Sequence, residues 1–343
     1  MNLLPTEEQQ QIIDTAKHFL DSEFPVSDAL ALEPGASRVQ RPHLEQIAQL
    51  GWFGIGLDDA CGGVGYGASE ETLLYMELGH SLMPPSLLGA SLGARIAAAA
   101  GHDAQCSAIL AGSARVALGV ARNTAVPVIG ERVSGEFIGF EGQDSDYLLL
   151  AGADSAALVD TQALSEIGAT ECIDPTLTST VYSADGVGAS AWQASEQEDI
   201  FHRGALLSAA MQAGIAQATL ERSVDYAQER EQYGKPIGSF QAIKHYCADM
   251  AIRCESVRAM LYYASVTLQN RDDSALLDVQ TAKTLADDAA VRNANCAVQV
   301  HGGMGFTQEM DIHLFVKRAQ VLSTLFGGRR HHLRALLSQA RPA

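Results

Sequence analysis

The stretch EREQYGKPIGSFQAIKHYCADM, residues 229–250, decides how this chain is read. A charged helix end carrying Arg230 runs into Gly234-Lys235-Pro236, and proline cannot continue a helix. A new helical run then opens at Ser239-Phe240-Gln241. Upstream, residues 199–230 read as one long helix. Leu207, Ala210, Met211 and Ala218 give it an apolar stripe, and Gly214 on the same face admits a close neighbour. Downstream, helices are expected over 239–269 and 274–300, followed by a break at HGGMGFT (301–307) and two shorter helices. The last third is therefore a helical bundle.

Working toward the N-terminus, residues 112–195 have another texture. RVALGVA, ERVSGEFIGF, DYLLLAGA, AALVD and STVYSADGVGA are short β-rich runs punctuated by Gly, Asp and Ser. Before them the chain reads as helices again. Thr6 is placed as an N-cap with Glu7 and Glu8 in the first turn, and a second helix is expected over 41–50. The loop CGGVGYGAS (61–69) invites a phosphate-cradle reading. It follows no strand and lacks dinucleotide spacing, so it reads as a loop that caps a helix at Ser69. The expected domains are 1–111 helical, 112–196 β and 197–343 helical, a mostly α protein with a β insertion.

Composition narrows the function. Across 343 residues, 47% are apolar and 19% charged, as in a globular chain, and the net charge is −18. A nucleic-acid binder needs a basic surface, so an anionic ligand here would need a local arginine site. The six scattered cysteines form no CxxC pair and read as reduced thiols of a cytoplasmic protein. The N-terminus shows no signal-peptide pattern, and the most apolar run, SLLGASLGARIAAAAG, is too short and interrupted to span a bilayer. His331-His332 do not share a helix face, and no metal site is expected.

Two stretches, REQYGKPIGSFQAIKHYCADM and QVHGGMGFTQEMDIHLFVKRA (299–319), together resemble the acyl-CoA dehydrogenase flavoproteins, as does CGGVGYGASEETLLYMELGHSLMPPSLL near the N-terminus. The resemblance covers the whole chain, most weakly in the β segment. It implies an N-terminal helical domain, a middle β-barrel or sandwich domain and a C-terminal four-helix bundle, with FAD as cofactor. It also implies that Arg230, Gln241, Gln299, Gly302 and Gly303 grip the adenosine and pyrophosphate end of an FAD held by a neighbouring subunit. The residue types suit that task. A guanidinium forks onto phosphate oxygens, amides donate and accept, and glycines admit close approach.

The chain departs from the family pattern at the flavin ring. The Thr-Glu-Pro-x-x-Gly-Ser loop is replaced by ALGVARNTAVPVIGE (117–131). Phe326 stands at the usual position of the catalytic glutamate, and Gly328 at that of the threonine two residues on. The alternative glutamate slot, before Arg230 on the long helix, falls at Arg203-Gly204. Dehydrogenation of an acyl-CoA needs a carboxylate to take the proton next to the thioester, and phenylalanine cannot do this. Glu221, Asp225 and His202 are the candidate replacements, none with a positional argument, and Arg329 or Arg330 is a candidate phosphate contact. Phe326 thus leaves no catalytic residue assigned. The expected protein is the glutamate-lacking small subunit of an α2β2 acyl-CoA dehydrogenase of the bacterial steroid side-chain type. Its expected partners are a catalytic sister chain, an acyl-CoA and an electron-transfer flavoprotein. A self-sufficient flavoenzyme of the same fold, with a relocated base or different flavin chemistry, and a flavin-free dimerisation scaffold are the rival readings.

Overall fold

The computed structural model describes residues 4–33, 35–122, 127–194 and 199–338. Helix α1 (Glu7–Glu23) starts as expected at Thr6: the Thr6 hydroxyl accepts from Gln9 N–H, and the Gln9 side chain accepts from Thr6 N–H. Helices α2 (Arg41–Gln49), α3 (Ala68–His80), α4 (Ser86–Ala99) and α5 (Asp103–Leu110) follow. Helix α3 begins one residue before Ser69, so Ser69 is not its cap. Instead the Glu70 carboxylate accepts from Gly67 N–H at 3.0 Å.

Strands β1 (Val116–Ala121), β2 (Arg132–Phe140), β3 (Tyr147–Ala151), β4 (Ser155–Asp160), β5 (Ser165–Ala169), β6 (Ser179–Gly188) and β7 (Ala191–Ala194) form one sheet in the order β5-β6-β2-β1-β3-β4-β7. All its ladders are antiparallel except the parallel β1–β3 pair, with Val116 opposite Tyr147. Both faces of the central strands are buried. Ala117, Val133, Phe137, Leu148, Leu150, Val159 and Tyr182 make one apolar cluster. On the other face Gly93 of α4 lies against Val116 and Leu158. Period-two alternation explains both, since successive side chains point to opposite faces.

Helices α6 (Ile200–Glu229), α7 (Gln241–Asn270), α8 (Ala275–His301), α9 (Ile312–Leu322) and α10 (Arg329–Ser338) complete the chain, with a short hairpin, β8 (Glu231–Gln232) and β9 (Lys235–Pro236), between α6 and α7. Two compact units result. One comprises Leu32–Glu71 and Met83–Gly204; the other comprises Met1–Ala31, Thr72–Leu82 and Ala205–Ala343. In the second unit α3 and α6 meet backbone to backbone. A Cβ on Gly214 would press on the Met76 carbonyl and the His80 N–H, and one on Gly79 would press on the Met211 carbonyl. The close neighbour expected at Gly214 is therefore α3. Among the described residues no helix is long and apolar enough to cross a membrane.

Candidate functional site

Arg230 follows the last residue of α6, its N–H donating to the Tyr226 carbonyl at 2.8 Å. The chain reverses through Tyr233 and Gly234, with φ of 54° and 74°, the paired positive values of a tight hairpin turn. Ile237 N–H then donates to the Arg230 carbonyl at 2.8 Å. Helix α7 starts at Gln241, and α8 ends at His301, one residue short of Gly302. A small apolar cluster of Ala227, Ile237 and Val300, flanked by Tyr226, Phe240 and Ile243, joins these three helix ends. Arg230, Gln241, Gln299, Gly302 and Gly303 thus all lie at or within a few residues of one junction, and all five are exposed.

Their local chemistry separates the two glycines from their neighbour. Gly302 has φ 59° and ψ −138°, a region that only glycine occupies readily. Gly303 has no such constraint, and a Cβ there would meet nothing within 4 Å. Gly305 is needed for packing, since a Cβ there would lie 2.9 Å from the Val298 carbonyl. So the chain's own packing does not ask for glycine at 303. Among the described residues no carboxylate pairs with the Arg230 guanidinium. An uncommitted cation, two exposed amides and an open backbone rim fit the phosphate and sugar end of a dinucleotide.

Reading the motif alone misses two aromatic features here. Tyr233 is 92% exposed at the hairpin tip, its ring edge-on to Phe240 at 6.0 Å, and Lys235 Nζ sits 4.5 Å from the Phe240 ring centre. Tyr226 stacks on His301 with centroids 4.3 Å apart. The only sequence signal is a tyrosine in a Tyr-Gly corner with no apolar face to join.

The base position is different in kind. Phe326 is buried with φ 53°, followed by Gly327 with φ 85°. Nε2–H of the fully buried His332 donates to both their carbonyls at 3.0 Å. Burial holds that imidazole down to about 4, so it is neutral at pH 7. Lys283, also fully buried, faces Asp287 at 2.6 Å and donates to the Leu322 carbonyl at 3.0 Å. Arg329 reaches Asp288 at 3.6 Å. The segment 323–328, STLFGG, carries no acid.

At the alternative slot Arg203 pairs with Glu71, whose carboxylate also meets Arg95 at 3.4 Å. Both guanidiniums are committed to that one buried carboxylate. His202 is paired with Asp199. Hydrogen bonds from His80 and Gln217, each at 2.8 Å, hold Glu221 down to about 2, so it stays ionised and binds protons weakly. Asp225 is exposed. Residues 123–126 of the replaced flavin loop lie outside the described residues.

The loop at 61–67 spends its amides internally. Gly63 N–H donates to the Asp58 carbonyl, Val64 to Gly54, Gly65 to Leu57 and Tyr66 to Ile55, at 2.9–3.1 Å. It is a folded turn and offers no amide cradle. Arg318, 2% exposed, donates to the Leu82 carbonyl at 2.7 Å and so has a structural role. Among the described residues no three His, Cys, Asp or Glu side chains cluster as metal ligands.

Comparison with known proteins bears on the same features. Residues 6–117 match the acyl-CoA dehydrogenase N-terminal domain model, and residues 194–340 the acyl-CoA dehydrogenase C-terminal domain model. The acyl-CoA dehydrogenase IpdE2 of Mycolicibacterium smegmatis is 30% identical over 288 residues, 84% of each chain. The chain belongs to the acyl-CoA dehydrogenase family. This is a family of oxidoreductases whose cofactor is FAD. The acyl-CoA dehydrogenase FadE34 of Mycobacterium tuberculosis is 32% identical over 320 residues, 90% of this chain but 44% of that protein. The chain thus spans less than half of FadE34. The crystal structure of the ChsE4–ChsE5 complex from Mycobacterium tuberculosis matches over 100% of both chains with a TM-score of 0.86 at 23% identity, a likeness of fold.

Proposed function

We propose that this chain is the glutamate-lacking subunit of a hetero-oligomeric, α2β2 acyl-CoA dehydrogenase. In this reading Arg230, Gln241, Gln299, Gly302 and Gly303 hold the adenosine and pyrophosphate end of an FAD whose ring lies on a catalytic sister subunit. One contrast carries the reading. Among the described residues, the junction at the ends of α6, α7 and α8 keeps a guanidinium with no carboxylate partner and, at Gly303, a glycine that the fold does not require, whereas a buried phenylalanine occupies the base position.

Bound FAD supplies the hydride acceptor. This chain's residues bind and orient. Arg230 offsets the pyrophosphate charge against a protein of net charge −18. Gln241 and Gln299 fix ribose and adenine by their amides, and Gly303 lets the ligand approach the backbone. The proton next to the thioester is taken by a carboxylate of the sister chain. The substrate class is a CoA thioester of a steroid side chain, after the small subunits that the chain resembles. An electron-transfer flavoprotein would be the partner that receives the electrons, in a cytoplasmic setting. The division into segments 1–111, 112–196 and 197–343 remains our domain assignment.

FAD stoichiometry tests the proposal. The chain is purified alone and after co-expression with an acyl-CoA dehydrogenase subunit of its host. A colourless lone chain and a yellow complex with one FAD per heterodimer are expected. One FAD per subunit with turnover by the lone chain would establish a self-sufficient enzyme instead, and a colourless complex would leave a dimerisation scaffold.

A further inference from the structure

Tyr226 and His301 meet where α6 and α8 end, with ring planes 24° from parallel and centroids 4.3 Å apart. His301 is 4% exposed, and its Nδ1–H donates to the Ala297 carbonyl at 2.7 Å. That bond fixes the tautomer and lays the ring back along α8. Burial lowers the basicity of the imidazole, so the stacked ring is neutral. Arg222, the nearby cation, is engaged elsewhere, paired with Asp311 at 3.2 Å and lying 4.6 Å over the Phe315 ring.

The stack sits between two short, stiff links. Tyr226 is one helical turn before Arg230 and accepts its N–H. His301 immediately precedes Gly302, and its Cβ lies 3.2 Å from where a Cβ on Gly305 would stand, so the turn after it is tightly packed. A site assembled from two chain segments works only if a rigid support fixes their spacing.

We infer that the Tyr226–His301 stack is the positioning pair that sets the span between Arg230 and the Gly302–Gly303 rim, so that both engage one nucleotide together. The inference rests on the cofactor role proposed above, and its test separates the two.

The protein is taken in the assembly in which it is isolated, stripped of flavin and titrated with FAD. Thermal midpoints are followed in parallel. Arg230→Ala is expected to weaken FAD binding about tenfold or more in the native background. In a His301→Ala background, where the two halves no longer cooperate, the same change should cost less than about threefold. His301→Phe, which keeps a ring on Tyr226, should bind within about threefold of the native protein. An equal Arg230→Ala penalty in both backgrounds would overturn the inference, even if His301→Ala lowers the thermal midpoint, because His301 would then be structural only. So would native FAD affinity in His301→Ala. If Arg230→Ala changes nothing in the native background, the cofactor role itself fails.

Discussion

Lys283→Met removes the ammonium that faces Asp287 at 2.6 Å. Lys283 is fully buried and Asp287 is 3% exposed, so water cannot take the missing place. Removing one partner of such a buried pair costs about 3–5 kcal/mol, because the remaining charge is left without compensation. The Leu322 carbonyl loses its donor as well, adding about 1 kcal/mol. Methionine has a similar length and flexibility, so the packing loss is small. The assay is urea unfolding followed by far-ultraviolet circular dichroism, with the double variant Lys283→Met/Asp287→Leu alongside. The double variant should recover most of the loss, since apolar replacement of a whole buried pair is often neutral or stabilising.

The single variant should also depend on pH. Burial raises the Asp287 carboxyl above its usual range, and without Lys283 only the weaker pulls of the Gln212 side chain and the Arg329 charge oppose that rise. A folded-state pKa above the unfolded one means that the folded protein binds more protons in that window. Stability then increases as pH falls through it, so the deficit is expected to be smaller at pH 5 than at pH 8. A loss under about 1 kcal/mol at both pH values, or a double variant as unstable as the single, would refute the reasoning.

Other outcomes are as specific. Gly214→Ala should destabilise by about 1–3 kcal/mol or more, read from the thermal midpoint, because its methyl would enter the α3 backbone. Gly303→Ala should leave stability within about 0.5 kcal/mol and lower FAD affinity in titration, whereas Gly302→Ala should cost about 1–3 kcal/mol from its φ of 59°. Glu221, depressed to about 2 chiefly by the His80 hydrogen bond, stabilises the fold above its ordinary carboxylate range and loses that contribution as pH falls toward 2. The difference in unfolding midpoint between the native protein and Glu221→Gln should therefore be full at pH 6 and vanish near pH 2.

Much of this was legible along the chain because the signals are local. Proline and glycine punctuation placed the α6–α7 break, the Thr6 cap placed the start of α1, and helical spacing placed α6, α7 and α8 within two residues of their observed ends. Long-range facts were not legible. The parallel β1–β3 pair joins strands separated by β2, and no local pattern encodes that. Lys283 and Asp287, four apart on a helix, have the spacing of a solvated surface pair. They are buried because the α9 backbone covers them, as the Lys283–Leu322 bond shows. At the site, Arg230 and the two glycines stood out by motif. The Tyr226–His301 stack did not, because its partners are 75 positions apart in the sequence.

The helical unit takes its first piece from Met1–Ala31 and its largest from Ala205 onward. During synthesis, α1 leaves the ribosome with Ala16 and Leu20 awaiting partners, both of them fully covered once folding is complete. Thr72–Leu82 of the same unit follows about 40 residues later, but its largest piece comes only after more than 170, roughly ten to thirty seconds at 5–20 residues per second. The segment between completes a sheet of its own in that interval. The helical unit is therefore completed long after α1 is made, a delay longer than most domains need to fold, and chaperone capture of α1 in that interval is a natural companion of its biogenesis.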